Sequence, residues 1–84
     1  MITPTIHSNG TGKDMLLRDY MAARQAILDA IEAMRKIEFN ARDYYPQGPE
    51  AWNLAREEQL ARFRAIDKVA DDFKKIAISI VDAP

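Results

Sequence analysis

The sequence predicts an all-α chain folded as an antiparallel two-helix hairpin of coiled-coil type. Three observations carry that expectation. Apolar residues recur at alternating steps of three and four in two long blocks, the densest turn chemistry lies between those blocks, and acid-first charge pairs at i,i+4 spacing line both of them. A chain of 84 residues has room for one small domain, close to the size at which a single core barely offsets chain entropy.

Residues 1–10 read as an extended arm. They carry Thr3, Pro4 and Thr5, lack helical periodicity, end in a turn at Ser8-Asn9-Gly10, and have Ile6 as their internal apolar anchor. The hairpin domain then occupies 11–84. Thr11 is positioned to cap the first turn with its hydroxyl, and Asp14 to return a bond in the manner of a capping box.

The first helix is expected over about 12–39, with Leu16, Tyr20, Ala23, Ile27, Ala30, Met34 and Ile37 as its stripe and Asn40 as its C-terminal cap. Leu17, Met21, Leu28 and Ile31 widen that face. Asp14 with Arg18 and Glu32 with Lys36 supply the surface pairs. The second helix is expected over about 49–81, opening on Pro49, whose missing N–H costs nothing there, with Glu50 at its positive end. Its stripe is Trp52, Ala55, Gln59, Ile66, Val69, Phe73, Ile76 and Ile80, interrupted at Arg62, with Phe63, Ala70 and Ala77 in a neighbouring row.

Between the helices stands Arg42-Asp43-Tyr44-Tyr45-Pro46-Gln47-Gly48-Pro49-Glu50. Pro46 should hold Tyr45 extended, and Gly48 permits dihedrals closed to other residues. Arg42, Tyr44, Tyr45 and Gln47 also form a candidate partner-contact patch, because aromatic rings with polar handles suit binding surfaces. The alternative is that one tyrosine folds over the helix ends while Trp52 packs near Ile37. The residues fit this structural corner first and a contact second.

Both helices offer more apolar surface than one seam can bury, which predicts pairing of two hairpins into a four-helix bundle as a homodimer. Met21, Leu28, Phe63, Ile76 and Ile80 are the candidate self-association residues.

The residue inventory argues against several other functions. Twelve basic and 13 acidic residues give a net charge of -1 with the signs mixed, so no electrostatic footprint for nucleic acid or an anionic membrane stands out. No apolar run is long enough to span a bilayer, and the N-terminal residues lack a basic segment followed by an apolar one, so a cytoplasmic setting is expected. Cysteine is absent, which removes thiolate nucleophiles and Cys-ligated metals. His7 is the one histidine and has no acid closer in sequence than Asp14, while the helices lack the Glu-x-x-His pattern of a diiron bundle. No metal or cofactor site is therefore expected. Asp29, Glu32, Glu57, Glu58, Asp71 and Asp72 read as solvated ion-pair partners of nearby Lys and Arg rather than a catalytic carboxylate pair. Asn9-Gly10-Thr11-Gly12 lacks the Lys-Ser or Lys-Thr ending of a phosphate loop.

The Asn9-Gly10-Thr11 cap and the Arg42 to Pro49 corner, with the two apolar helices around them, resemble a group of small helical proteins encoded by tailed phages and prophages. The resemblance implies a phage or prophage origin and a bacterial host cell, and it carries no activity onto particular residues. The function expected is that of a non-enzymatic, self-associating interaction protein: an accessory or assembly factor, or a modulator of a host protein. The second expectation is a nucleic-acid-associated accessory protein using Arg56, Arg62, Arg64, Lys68, Lys74 and Lys75.

Overall fold

A computed structural model describes residues Met1–Pro84. Two helices, α1 (Lys13–Arg35) and α2 (Ala51–Asp82), pack against each other through a corner of two 3-10 turns, Ala41–Asp43 and Tyr45–Gln47. The chain is all-helical and forms a hairpin, as the periodicity requires. It is a rod of 61 × 22 × 17 Å whose radius of gyration, 18.6 Å, far exceeds the ~12 Å of a globular chain of this length.

The start of α1 differs from expectation. Gly12, not Thr11, is the N-cap, extended at φ -60° and ψ 147°, and no side chain bonds the first turn. Leu16 N–H donates to the Gly12 carbonyl at 3.0 Å, which sets the helix start one residue late. In the arm, Gly10 N–H donates to the His7 carbonyl at 3.1 Å, closing the expected turn at Ser8-Asn9-Gly10. Ile6 is half-buried on its own chain, whereas Ile2 remains 95% exposed.

The larger correction is at the end of α1. The helix stops at Arg35 rather than near Phe39, and the Lys36 and Ile37 N–H groups bond back to Ala33 and Met34 in a tightened last turn. Residues 38–40 leave the helix, and Asn40 is extended (φ -127°, ψ 142°), the N-cap of the first 3-10 turn instead of a helix C-cap. The reason is tertiary: Phe39 leaves the helical path and packs on Trp52. Pro49 likewise lies just before α2, in a turn, with Glu50 as the N-cap.

The seam is displaced from the expected stripes. Ile31, Ala70, Ile76 and Ile80 are the buried residues, while Ala23, Ala30, Ile37 and Val69 are exposed. In α1 the inward row runs Tyr20, Arg24, Ile27, Ile31, Met34; in α2 it runs Gln59, Phe63, Ile66, Ala70, Phe73, Ile76, Ala77, Ile80. A step of four from Gln59 to Phe63 carries the row past Arg62, so the apparent interruption disappears. Tyr20 meets Phe73 edge-on at 5.4 Å, and Lys13 donates from Nζ to the Ala83 carbonyl at 2.8 Å. These two contacts set the register of the hairpin.

Candidate functional site

The corner is held by main-chain bonds and by an aromatic triangle. Asp43, Tyr44, Gln47 and Gly48 N–H groups donate to the carbonyls three residues earlier, at 3.0 to 3.1 Å. Tyr45 thus sits in a 3-10 turn and is not held extended by Pro46. Gly48 takes φ 117° and ψ 167°, the one positive-φ position in the chain, and redirects the backbone into α2. Inside the corner Phe39, Tyr44 and Trp52 contact one another with centroids 5.5 Å (Phe39–Tyr44), 4.9 Å (Phe39–Trp52) and 5.7 Å (Tyr44–Trp52) apart.

That geometry separates the two tyrosines. Tyr44 is half-buried and structural, closing the triangle, whereas Tyr45 is 62% exposed and Arg42 and Gln47 are exposed with it. Trp52 packs on Phe39 and Tyr44, and Ile37, expected beside it, is exposed. Phe39 was not among the candidates: the sequence reading placed it in the last turn of the first helix, and only the fold brings it to Trp52.

From the triangle a groove of about 380 Å³ runs along α2, lined by Phe39, Trp52, Arg56, Gln59, Leu60 and Phe63. The Arg56 guanidinium stands over the Trp52 ring, 6.0 Å from its centroid. At the opposite end of the rod a second groove of about 410 Å³ lies between the helices, with Leu17, Met21 and Arg24 on one side and Lys74, Ile78 and Val81 on the other. Leu60 and Ile78, like Phe63 and Val81, are separated by about five full helical turns, so both grooves open on the same flank of α2. Leu28, one heptad after Met21, continues this flank along α1.

Three of the five residues expected in self-association, Met21, Leu28 and Phe63, therefore share one flank. Ile76 and Ile80 do not join them. Ile80 is 0% exposed and Ile76 is buried beside it, so the single chain already consumes both side chains in its own core. Their stripe positions could not distinguish an intrachain seam from an interchain one. Ile78 and Val81, outside the expected rows, are the apolar residues that this end of α2 leaves exposed.

Comparison with protein-family models, with curated proteins and with solved structures finds no match to this chain. The functional reading therefore rests on the molecule itself.

Arg62 pairs with Glu58 at 3.6 Å, Lys68 with Asp72 at 2.9 Å and Lys75 with Asp71 at 3.0 Å, so three of the six basic residues considered for phosphate contact face a carboxylate of their own helix. The hydrogen bond and charge of Lys75 hold the Asp71 carboxyl below its ordinary range, and Asp71 raises Lys75 in return. No group of three or more His, Asp or Glu side chains is placed to hold a metal ion. No helix is long and apolar enough to cross a membrane. The unusual polar group is Arg24, which occupies the inward row of α1 with its Nε buried and without a hydrogen-bond partner.

Proposed function

We propose that this protein is a non-enzymatic helical interaction module that works as a homodimer, two hairpins joining by their grooved flanks into a four-helix bundle. The observation that carries the reading is the excess of surface. The chain exposes 6450 Å², about 1,300 Å² more than a globular protein of its mass would at about 5,100 Å². A stable dimer of ordinary size covers about 800 Å² per partner, so one self-complementary interface suffices to remove most of the excess. The occupant best suited to a flank repeated on every copy is a second copy, because a dyad buries the same patch on both.

In the phage setting implied by the Asn9-Gly10-Thr11 and Arg42 to Pro49 resemblance, the dimer would serve as an accessory or assembly factor or as a modulator of a host protein. It would present two exposed corners bearing Arg42, Tyr45 and Gln47. Light scattering over a concentration series tests the dimer. The reading predicts a mass near twice 9.6 kDa that persists on dilution into the low micromolar range. A monomer at every concentration refutes it.

A further inference from the structure

We infer that the two hairpins lie same end to same end, with the dyad along the rod, so that Arg24 of each α1 meets Asp67 on α2 of the second copy. This orientation rests on the dimer reading above and adds to it which helix faces which. A dyad along the rod places α1 on α2 of the second copy with the ends flush. A dyad across the rod instead places each helix on its own counterpart, running in the opposite direction.

Charge complementarity decides between them. On the grooved flank, the middle of α2 carries Asp67 and Asp71 one turn apart, with Arg56 and Lys74 toward its two ends, while the flank of α1 carries Arg24 and Arg35, the latter paired with Glu32 at 3.4 Å. Packing α2 on α2 would crowd the mid-helix carboxylates at the dyad, whereas α1 on α2 sets Arg24 against the acidic middle of α2. The hairpin register gives the level of each group. With Tyr20 level with Phe73 and Lys13 with Ala83, Arg24 lies level with residues about 69–72, hence at about the Asp71 level and ~3–8 Å along the axis from the Asp67 level. The same-end dyad preserves these levels between copies.

The two groups also lack partners within the chain. Arg24 has a buried Nε with none, and Asp67 is exposed and outside all four ion pairs of the chain. A buried Nε–H left without an acceptor is costly, and a carboxylate supplied by the second copy would remove that cost. Asp71 keeps its bond to Lys75 and adds a second negative charge on the same face.

The test combines charge reversal with distance measurement on the full chain. Asp67 is exposed, so Asp67→Arg leaves the hairpin intact; it should raise the dimer dissociation constant about tenfold or more, and Arg24→Asp with Asp67→Arg should restore it. Tighter association of Asp67→Arg overturns the inference, because relief of carboxylate crowding is the signature of α2 on α2. An unchanged constant overturns it as well. The chain has no cysteine, so a spin label at Gln47→Cys reports a single distance between copies. Same-end packing predicts a separation below about 35 Å, from corners one helix diameter or two apart; a separation approaching the 61 Å rod length overturns the orientation while leaving the dimer standing. A monomer in the light-scattering series removes both.

Discussion

Replacing Tyr44 and Tyr45 one at a time by alanine gives the sharpest test of the corner. The two residues are adjacent and chemically identical, yet Tyr44 has two aromatic neighbours, at 5.5 and 5.7 Å, and Tyr45 has none and is 62% exposed. An aromatic pair contributes about 0.5–1.5 kcal/mol beyond area burial, so the two contacts of Tyr44 supply roughly 1–3 kcal/mol. Removal of a half-buried ring adds part of the ~3–5 kcal/mol seen for fully buried aromatic truncations. The expected cost of Tyr44→Ala is about 2–4 kcal/mol, which for a domain of this size lowers Tm by roughly 10 °C or more. Tyr45→Ala should cost no more than about 0.5 kcal/mol, as for an exposed side chain without partners. Urea denaturation followed by helical circular dichroism, at one fixed chain concentration because association is linked to unfolding, measures both. Trp52 fluorescence serves as a second channel, since loss of Tyr44 opens the indole to water while loss of Tyr45 does not. Equal costs for the two variants would refute the division of the corner into a structural and an exposed tyrosine.

Other substitutions test the remaining elements. Ile80→Ala should cost about 2–5 kcal/mol at any chain concentration, because Ile80 is fully buried within one hairpin, whereas Val81→Ala should act mainly by weakening the dimer. Gly48→Ala should destabilise by about 1–3 kcal/mol although open space surrounds the new Cβ, since the whole cost is backbone strain at φ 117°. Gly12→Ser should stabilise by about a few tenths of a kcal/mol, because the N-cap has ordinary extended dihedrals, free space and no side-chain bond to the first turn. The exposed Asp71–Lys75 pair has a defined pH window. Asp71 is depressed, so its contribution is present above the unfolded carboxyl value and fades as pH falls through the lower folded value. Lys75 is raised, so its contribution is present below the unfolded amine value and fades as pH rises through the higher folded one. Asp71→Asn should therefore remove a small, salt-sensitive increment at neutral pH and none in strong acid, measured by thermal melts at low and high salt.

The accuracy of the sequence reading followed the range of the interactions involved. Much local chemistry was legible: the arm turn at Ser8-Asn9-Gly10, the special dihedral at Gly48 and the two helical blocks appear where residue type demands them, whereas the Thr11 cap and the extended Tyr45 do not form. The end of α1 was not legible. Ile37 continues the apolar period three residues after Met34, and nothing within a few residues of Phe39 signals that its ring will leave the helix for Trp52. The seam was legible as a broad face and misplaced within it. Ala30 and Ile31, or Val69 and Ala70, are equally apolar neighbours, so spacing alone assigned the inward role to the wrong member of each pair.

By itself the sequence determined that this protein is two long amphipathic helices joined by a turn-rich corner, because hydrophobic period, turn residues and charge spacing act over a few residues and are written in order along the chain. Only the tertiary structure decided which apolar side chains the hairpin consumes and which it leaves on a flank. It alone brings Phe39, Tyr44 and Trp52 together and sets Ile78 and Val81 beside an unpaired Arg24. The physical reason is that packing selects one rotation of each helix about its axis. That rotation depends on side chains distant in sequence, to which a periodic pattern responds only through its average face.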